Sequence, residues 1–288
     1  MFPCARGVPV EAAVPAAVLK SSQATSRLAG PLQPPSLTSR PPTAKLRERP
    51  CAFTLIELLF VMSIIAILLV LMAPAFTTLK SGGDVTSAAN TIKGVLDQAR
   101  TYAMANNTYT WVGFYEENVS TPSTNPPTPG TGRIVMSIVA SKDGTMMYTA
   151  PLTSVVTLTP ANLIQVGKLT KIDNVHLKTF AAGSGTAPAD TFATRPAVGS
   201  TAAQIGDNAP PNPSLSFQYP VGSTAQYTFA KAVQFNPRGE AVIDNSNYTS
   251  TPVSEIGIQP THGLTLSLTN NSAIQLAGMS GDVKIYRQ

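Results

Sequence analysis

A long apolar run near the N-terminus constrains this chain more than any other feature of its sequence. The run from Phe53 to Ala73 has 21 residues, and Glu57 is its only charged side chain. As a helix that rises about 1.5 Å per residue, it would be about 30 Å long, which matches the hydrocarbon core of a bilayer. The run therefore predicts a membrane-spanning helix.

The charge inside this run needs an explanation, because a carboxylate within a bilayer is costly unless it is paired or protonated. An uncleaved signal anchor would explain the run but not Glu57. A secretory signal is a second alternative, since Ala73-Pro74-Ala75 follows the small-x-small pattern of a cleavage site. Against it, the run is longer than a usual signal core, and Pro74 lies inside that site.

The segment Phe53-Thr54-Leu55-Ile56-Glu57, the apolar run and Pro74 together resemble the prepilin cleavage and methylation signature of type IV pilins and type II secretion pseudopilins. The resemblance implies that a membrane-embedded prepilin peptidase cuts between Ala52 and Phe53 and methylates the new amino group of Phe53. The family usually has glycine before the cut, and Ala52 is the smallest replacement. The resemblance also implies assembly roles for Phe53, Glu57 and Pro74, with Glu57 pairing with the N-terminus of a neighbouring subunit.

The net charge of +5 comes from the N-terminal segment, because residues 1–52 hold seven basic and two acidic side chains. The rest of the chain is balanced, so the basic composition does not indicate nucleic-acid binding. Lys45, Arg47 and Arg49 precede the apolar run directly. The positive-inside rule then predicts a single-pass protein with a cytoplasmic N-terminus and an exported C-terminal domain. The resemblance implies the bacterial inner membrane, with the domain periplasmic or extracellular, and later a pilus or pseudopilus filament.

Residues 1–52 are rich in proline, alanine, serine and arginine, which predicts a basic, disordered leader that is removed. The leader is long for a prepilin, and a true start nearer Lys45 is an alternative. An organellar transit peptide has a similar composition but would not explain the motif that follows. Both cysteines, Cys4 and Cys51, precede the predicted cut, so the exported domain would have no disulfide.

After the predicted assembly helix of residues 53–76, the pattern predicts an amphipathic helix over residues 77–107. A weak point is expected at Ser81-Gly82-Gly83, with Asp84 able to cap a new start. Apolar residues then recur at three- and four-residue spacing and predict a buried face: Val85, Ala88, Ala89, Ile92, Val95, Leu96, Ala99 and Ala103.

Residues 108–288 predict a β-rich exported domain with loops at 118–132 and 183–213. The second loop, rich in glycine, proline, alanine and threonine, is expected to bury little and to be mobile. The predicted strands cover 109–115, 133–141, 155–158, 168–180, 214–219, 227–235, 241–243, 255–258, 263–268, 273–276 and 282–286. The pattern therefore predicts an α+β fold class. The resemblance implies a pilin-like fold, with a long N-terminal helix packed on an antiparallel β domain.

Three further segments resemble the GspH/FimT-type minor pseudopilins. These are the helix end Leu96–Asn107, the strand–turn–strand segment Val233–Ala241, and the final hairpin Ala273–Tyr286 with Gly281 in its turn. The turn Pro237-Arg238-Gly239 within the second segment needs no ligand to explain it, because proline presets φ and glycine supplies a positive φ.

The sequence contains no recognisable catalytic grouping, and it predicts no catalytic residue, cofactor or metal site. His176 and His262 are isolated, and no cysteine nucleophile follows the predicted cut. A cation such as Ca²⁺ is a weak alternative, because carboxylate and amide oxygens cluster in two short segments. These candidate ligands are Asp207, Asn208, Asp244, Asn245 and Asn247.

The sequence predicts a structural subunit, a minor pseudopilin of a type II secretion pseudopilus. Its expected partners are the prepilin peptidase, other pilin or pseudopilin subunits, an inner-membrane assembly platform and the membrane, with no nucleic acid. One alternative is a minor pilin of a type IV pilus that serves adhesion, motility or DNA uptake. The alternative of another class is a membrane-anchored or secreted β-domain enzyme or binding protein.

Overall fold

The structure, a computed structural model, describes residues 54–182, 192, 195–211, 213–243, 245–246 and 251–288, and for residues 73–81 it describes the backbone alone. One helix, α1, runs without interruption from Leu55 to Ala105 and has Asn106 as its C-cap. The expected new start at Asp84 is wrong, because this residue lies inside α1. A glycine in a helix costs only about 1 kcal/mol relative to alanine, so packing outweighs the two glycines before Asp84.

The chain after α1 is rich in strands, and the fold class is α+β, as predicted. The described residues form fourteen strands: β1 Thr110–Asn118, β2 Gly132–Ser141, β3 Val156–Thr157, β4 Leu163–Asp173, β5 Val175–Leu177, β6 Gln204–Ile205, β7 Leu215–Tyr219, β8 Tyr227–Phe229, β9 Lys231–Phe235, β10 Ala241–Val242, β11 Val253–His262, β12 Thr265–Leu266, β13 Ser272–Ala277 and β14 Val283–Arg287. Single turns of 3-10 helix occur at Pro160–Asn162 and Thr201–Ala203.

These strands form three sheets. The first has the order β10-β9-β1-β2-β4, and all its pairs are antiparallel. The second has the order β12-β11-β13-β14, and β5 and β6 also pair with β11. The third has the order β3-β7-β8. Two short pairings, β11 with β6 and β3 with β7, are parallel.

Helix α1 packs across the first and second sheets and shares one apolar core with both. The predicted apolar face of the helix is confirmed, because all eight of its residues from Val85 to Ala103 are buried. The exposed side of the same segment carries the ion pair of Lys93 with Asp97, whose charged atoms are 3.3 Å apart. The three-and-four spacing thus identified the surface on which the domain is built.

Strand β1 has apolar neighbours on both faces. Val112 and Phe114 belong to the core beneath α1, whereas Trp111 belongs to a second core between the first and third sheets. The indole nitrogen of Trp111 donates a hydrogen bond of 2.9 Å to the side-chain oxygen of Gln234 on β9. The first sheet is therefore the middle layer of a helix–sheet–sheet arrangement.

Two segments that were predicted as single strands each divide between two sheets. Residues 168–180 contain the end of β4 and all of β5, separated by Asn174 at a positive φ of 64°. This left-handed residue lets the chain leave the first sheet and pair with β11. Residues 227–235 divide at Ala230 into β8 of the third sheet and β9 of the first. Strand propensity identified the extended residues, but it did not indicate that the chain changes from one sheet to another within the segment.

The expectation that residues 183–213 bury little is wrong for their described part. Phe192, Val198, Ala203 and Ile205 are all buried. Arg195 places a guanidinium nitrogen 2.6 Å from each carboxylate oxygen of Glu255, which is fully buried. These contacts attach the segment to the second sheet.

Gly113 in β1 allows the first and third sheets to approach closely. A Cβ at this position would lie 2.5 Å from ring atom Cζ of Phe217 and 2.5 Å from Cβ of Phe229. We expect Gly113→Ala to lower the free energy of unfolding by about 1–3 kcal/mol, because a methyl group would overpack this core. Denaturant unfolding of the full chain in detergent, followed by the fluorescence of the single tryptophan, measures the change.

Gly94→Ala is the matched control for this substitution. Gly94 lies in α1 with no atom within 4 Å of the position of its missing Cβ. Alanine there should raise the free energy of unfolding by about 0.5–1 kcal/mol through helix propensity. Equal stability of the Gly113→Ala variant and the unmodified chain would contradict the overpacking argument.

Candidate functional site

The N-terminal part of α1 has the properties of a membrane span. Residues Leu55–Met72 have a mean hydropathy of 3.0, and none of them is buried against the rest of the chain. An apolar helix surface of this length is unfavourable when it is exposed to water, because removing its side chains from solvent lowers the free energy. The span thus lacks a partner within the described residues.

The first turn of α1 is capped by a residue that the sequence analysis did not single out. Thr54 has extended backbone angles, and its hydroxyl accepts a hydrogen bond of 3.2 Å from the backbone N–H of Glu57. The sequence signal was present, because Thr-x-x-Glu at a helix start is the pattern of a capping box. The carboxylate in this first turn also suits the positive end of the helix dipole.

The Glu57 side chain is exposed, and no basic side chain among the described residues forms an ion pair with it. Ala52 and Phe53, the residues of the predicted cleavage, lie outside the described residues. Pro74 lies within the continuous backbone of α1. The structure therefore places Glu57 on the first turn of a helix whose first 18 residues are uncovered, and it leaves the predicted processing untested.

Residues 49–73 match the family described as the prokaryotic N-terminal methylation motif. The chain thus carries the N-terminal motif of type IV pilin-like proteins. The motif implies processing by a prepilin peptidase and assembly with other pilin subunits, and the apolar helix fits a single-pass membrane anchor. No curated protein and no solved structure matches the chain.

The three segments with minor-pseudopilin resemblance meet at one residue, Arg100 of α1. A Cβ on Gly239, in the β9–β10 turn, would lie 3.3 Å from Nε of Arg100. The corresponding distance from Gly281, in the β13–β14 turn, would be 3.1 Å. Both glycines have positive φ angles, and Asp282 places a carboxylate oxygen 3.1 Å from Arg100. The helix end and both turns thus form one packed junction.

A buried carboxylate organises the loop between β1 and β2. Glu117 is 2% exposed, and its carboxylate accepts hydrogen bonds from the hydroxyls of Tyr227 and Ser123 and from the guanidinium of Arg133. The ammonium group of Lys171 lies 3.6 Å away. We call these five residues the Glu117 cluster. Its contacts join the loop to strands of the first and third sheets.

The Glu117 cluster contains residue types that also serve in catalysis, because Lys171 contacts the Ser123 hydroxyl and lies 2.6 Å from the Tyr227 hydroxyl. The Ser123 hydroxyl, however, donates its hydrogen to Glu117, and the Lys171 ammonium lies 3.6 Å from the same carboxylate. These contacts support a structural role for the cluster.

A second polar group surrounds His176 on β5, one of the two histidines singled out from the sequence. Its Nδ1 is 2.7 Å from a carboxylate oxygen of Glu116, and its Nε2 is 3.9 Å from Asp207. Burial opposes the ionisation of Asp207, but the hydrogen bonds from Lys178 and Thr179 and the charge of Lys178 together outweigh it, so the pKa of this carboxyl lies below its ordinary value. The other histidine, His262, is exposed at the end of β11.

The candidate cation ligands are not brought together in the described residues. The side-chain oxygen of Asn208 accepts from the backbone N–H of Gly206, and that of Asn245 accepts from the Tyr148 hydroxyl at 2.8 Å. Asp244 and Asn247 lie outside the described residues. Among the residues that are described, no three histidine, cysteine, aspartate or glutamate side chains form a group that could hold a metal ion.

The Glu117 cluster predicts a pH-dependent contribution to stability. Burial opposes the ionisation of Glu117, but hydrogen bonds from Tyr227 and Ser123 and the charge of Lys171 lower its pKa below the ordinary value of 4.5. The stabilisation is therefore complete above pH 4.5 and is lost as the pH falls through the lower pKa of the folded state. We expect Glu117→Gln to cost about 1–3 kcal/mol at pH 7 and to make the stability less dependent on pH below 4.5.

Unfolding of the full chain by urea at a series of pH values measures both effects. Asp97→Asn is the matched control, because it removes a carboxylate from an exposed i,i+4 ion pair and should cost about 0.3–0.5 kcal/mol. If Glu117→Gln and Asp97→Asn have the same small effect, the buried carboxylate does not organise the loop.

Proposed function

We propose that this chain is a minor pseudopilin of a type II secretion pseudopilus, processed between Ala52 and Phe53 and assembled through the N-terminal half of α1. One observation carries the proposal: the methylation motif at residues 49–73 covers the start of a helix whose first 18 residues are predominantly apolar and unburied. A helix that only anchored an enzyme would need no such motif. A subunit that moves from the bilayer into a filament needs both the motif and an uncovered apolar surface.

Glu57 provides the specific contact in this proposal. Once Ala52 is removed, Phe53 carries a methylated, positively charged amino group four residues before Glu57 in the sequence. The carboxylate is exposed at the helix start, so it is open to the N-terminus of a neighbouring subunit. In the apolar filament core, the attraction within this ion pair would offset the loss of hydration of both charges. An unpaired carboxylate there would be strongly unfavourable.

Pro74 supplies a second assembly feature near the end of the apolar span. Proline has no backbone N–H and therefore removes one hydrogen bond from the interior of α1. We infer that the helix bends or loosens at this point when it packs against neighbouring helices. The same proline is compatible with membrane insertion, because proline is tolerated in membrane helices.

The proposed topology follows from the charges before the span. Lys45, Arg47 and Arg49 would hold the leader in the cytoplasm, and the β-rich domain would lie on the periplasmic side of the bacterial inner membrane. An inner-membrane assembly platform would then move the processed subunit into the filament. The junction at Arg100 supports the assignment to the GspH/FimT-type minor pseudopilins, because it unites the three segments that carry this resemblance.

Processing predicts the mass of the N-terminal peptide of protein purified from its native membrane. We expect this peptide to begin at an N-methylated Phe53, because the methylation motif covers this position. Mass spectrometry of the digested protein measures both the start and the added methyl group. A chain that begins at Phe76, or one that retains residues before Phe53, would contradict the assembly mechanism.

Charge pairing predicts that Glu57→Val blocks assembly but not insertion or cleavage. The variant keeps an apolar span, whereas the partner of the methylated amino group is lost. Filament incorporation is measured by cross-linking and by fractionation of the filaments. Ser63→Val is the matched control, because Ser63 is also polar, exposed and in the same span but bonds only to the Leu59 carbonyl oxygen.

Two outcomes of this experiment test different parts of the proposal. Normal incorporation of Glu57→Val would remove the pairing role. In a strain whose only copy is this variant, lost protein secretion with intact surface pili supports the pseudopilus. Lost pili with intact secretion would instead identify a minor pilin of a type IV pilus.

A further inference from the structure

A row of exposed leucines lies at the β11–β12 hairpin. Leu264, Leu266 and Leu268 are 50%, 42% and 81% exposed, and they alternate with Thr265 and Ser267. A single exposed leucine is ordinary, but a contiguous apolar patch on a soluble surface marks a contact site. We call residues 264–268 the leucine tip.

The hairpin holds the leucine tip in a defined conformation. His262 pairs with Thr265, which leaves a two-residue turn whose first residue, Gly263, has a φ of 62°. Glycine with positive φ at this place is typical of a type II′ turn. Beyond the turn, the backbone N–H of Ser267 donates to the Pro260 carbonyl at 2.9 Å, and the Gln259 side chain donates to the Ser267 carbonyl at 2.6 Å. The leucines are therefore presented by an ordered element.

The tip lies at the end of the domain from which the apolar half of α1 leaves. Just after the tip, the Asn270 side chain lies beside Gly82 of α1, at 3.9 Å from the position of its missing Cβ. Gly82 is ten residues beyond Met72, which is about 15 Å of helix. Strand β11 continues for four residues beyond Ile258, which pairs with Ser272 at the start of β13. These four residues extend β11 by about 13 Å past the N-terminal end of β13. The hairpin thus extends toward the apolar span.

The chemistry of the tip fits a lipid surface. No residue from Gly263 to Asn271 is charged, so contact of this segment with lipid would not dehydrate an ionised side chain within it. The interfacial layer of a bilayer adds about 5–8 Å outside each face of the hydrocarbon core, and leucine side chains bind there by burying apolar area. The 13 Å extension of the hairpin is comparable to the length of about 15 Å of α1 between Gly82 and Met72.

We propose that the leucine tip is a second membrane contact, which rests in the interfacial layer of the bilayer while α1 spans it. The inference depends on the membrane insertion given above as part of the proposed function. With the helix and the tip both attached, the domain has a fixed orientation on the membrane before assembly. Extraction of the subunit into a filament would then release the tip as well as the helix.

The test uses the full chain with Cys4→Ser and Cys51→Ser, reconstituted at low density in phosphatidylcholine vesicles whose quencher is a pair of nitroxide lipids, a shallow one for the labels on the domain and a deep one for the label at Ser63. A fluorescent label is placed in separate proteins at Thr269→Cys beside the tip, at Met279→Cys and at Ser63→Cys. Met279 is 80% exposed and lies in the β13–β14 turn near Arg100, so it is the matched control at the other end of the domain. The label at Ser63 reports insertion of α1.

We expect the labels at Thr269 and Ser63 to lose fluorescence to the quencher and the label at Met279 to keep it. Adding Leu264→Ser, Leu266→Ser and Leu268→Ser to the Thr269-labelled chain should restore its fluorescence and leave quenching at Ser63 unchanged. These exposed substitutions remove little packing from the domain, and Trp111 fluorescence verifies that it remains folded.

Three results would overturn the inference. If Ser63 is quenched and Thr269 is not, α1 inserts but the tip does not touch lipid, so only the inference fails. If neither label is quenched, the proposed insertion fails and the inference fails with it. If the Thr269 label responds to increasing protein density and not to the quenching lipid, a second copy of the chain covers the tip.

Discussion

The close packing of α1 against two sheets is the interaction on which the rest of the structure depends. Ala88, Ala89, Ala99 and Ala103 on its inner face are completely buried, and such small side chains bring the helix backbone near the strands. The larger Ile92 and Leu96 fill the space between them. Because one helix contributes to the core of both sheets, it holds them in a single domain. It also transmits any force on its apolar half to that domain.

Buried polar contacts fix the segments that the helix does not touch. Glu255 accepts hydrogen bonds from Arg195, Gln204 and Gln275, so its carboxylate is well satisfied within the second sheet. Glu117 does the same for the loop between β1 and β2. A buried ion pair gives little net stability compared with apolar packing, but losing one partner is costly. Such contacts therefore specify where a loop lies, and this domain uses them in place of disulfides, since its only cysteines precede the span.

Local sequence patterns predicted an element well when all of its residues pack in the same environment. The buried face of α1 followed from its spacing, the turn at Gly239 from residues that favour a turn, and the final hairpin turn at Gly281 from the resemblance to minor pseudopilins. Prediction failed where the environment changes within a segment. Residues 227–235 look like one strand because their propensity is uniform, yet β8 and β9 belong to different sheets. Thr54 was overlooked although its Thr-x-x-Glu spacing is a local signal.

The sequence by itself determined the apolar helix that fits a membrane anchor, the N-terminal motif, the buried helix face and the α+β class, because each depends on residues close together in the chain. Only the tertiary structure decided which strands pair, where the loop residues lie and which polar groups are buried. Tyr227 meets Glu117 across 110 positions, and Arg195 meets Glu255 across 60. Such long-range contacts produce no periodic pattern in the sequence, because each partner is a single residue whose sequence neighbours do not take part in the contact. The leucine tip has the same origin: its residues are visible in the sequence, but its place beside the membrane helix follows only from the packing of β11 and β13 against α1.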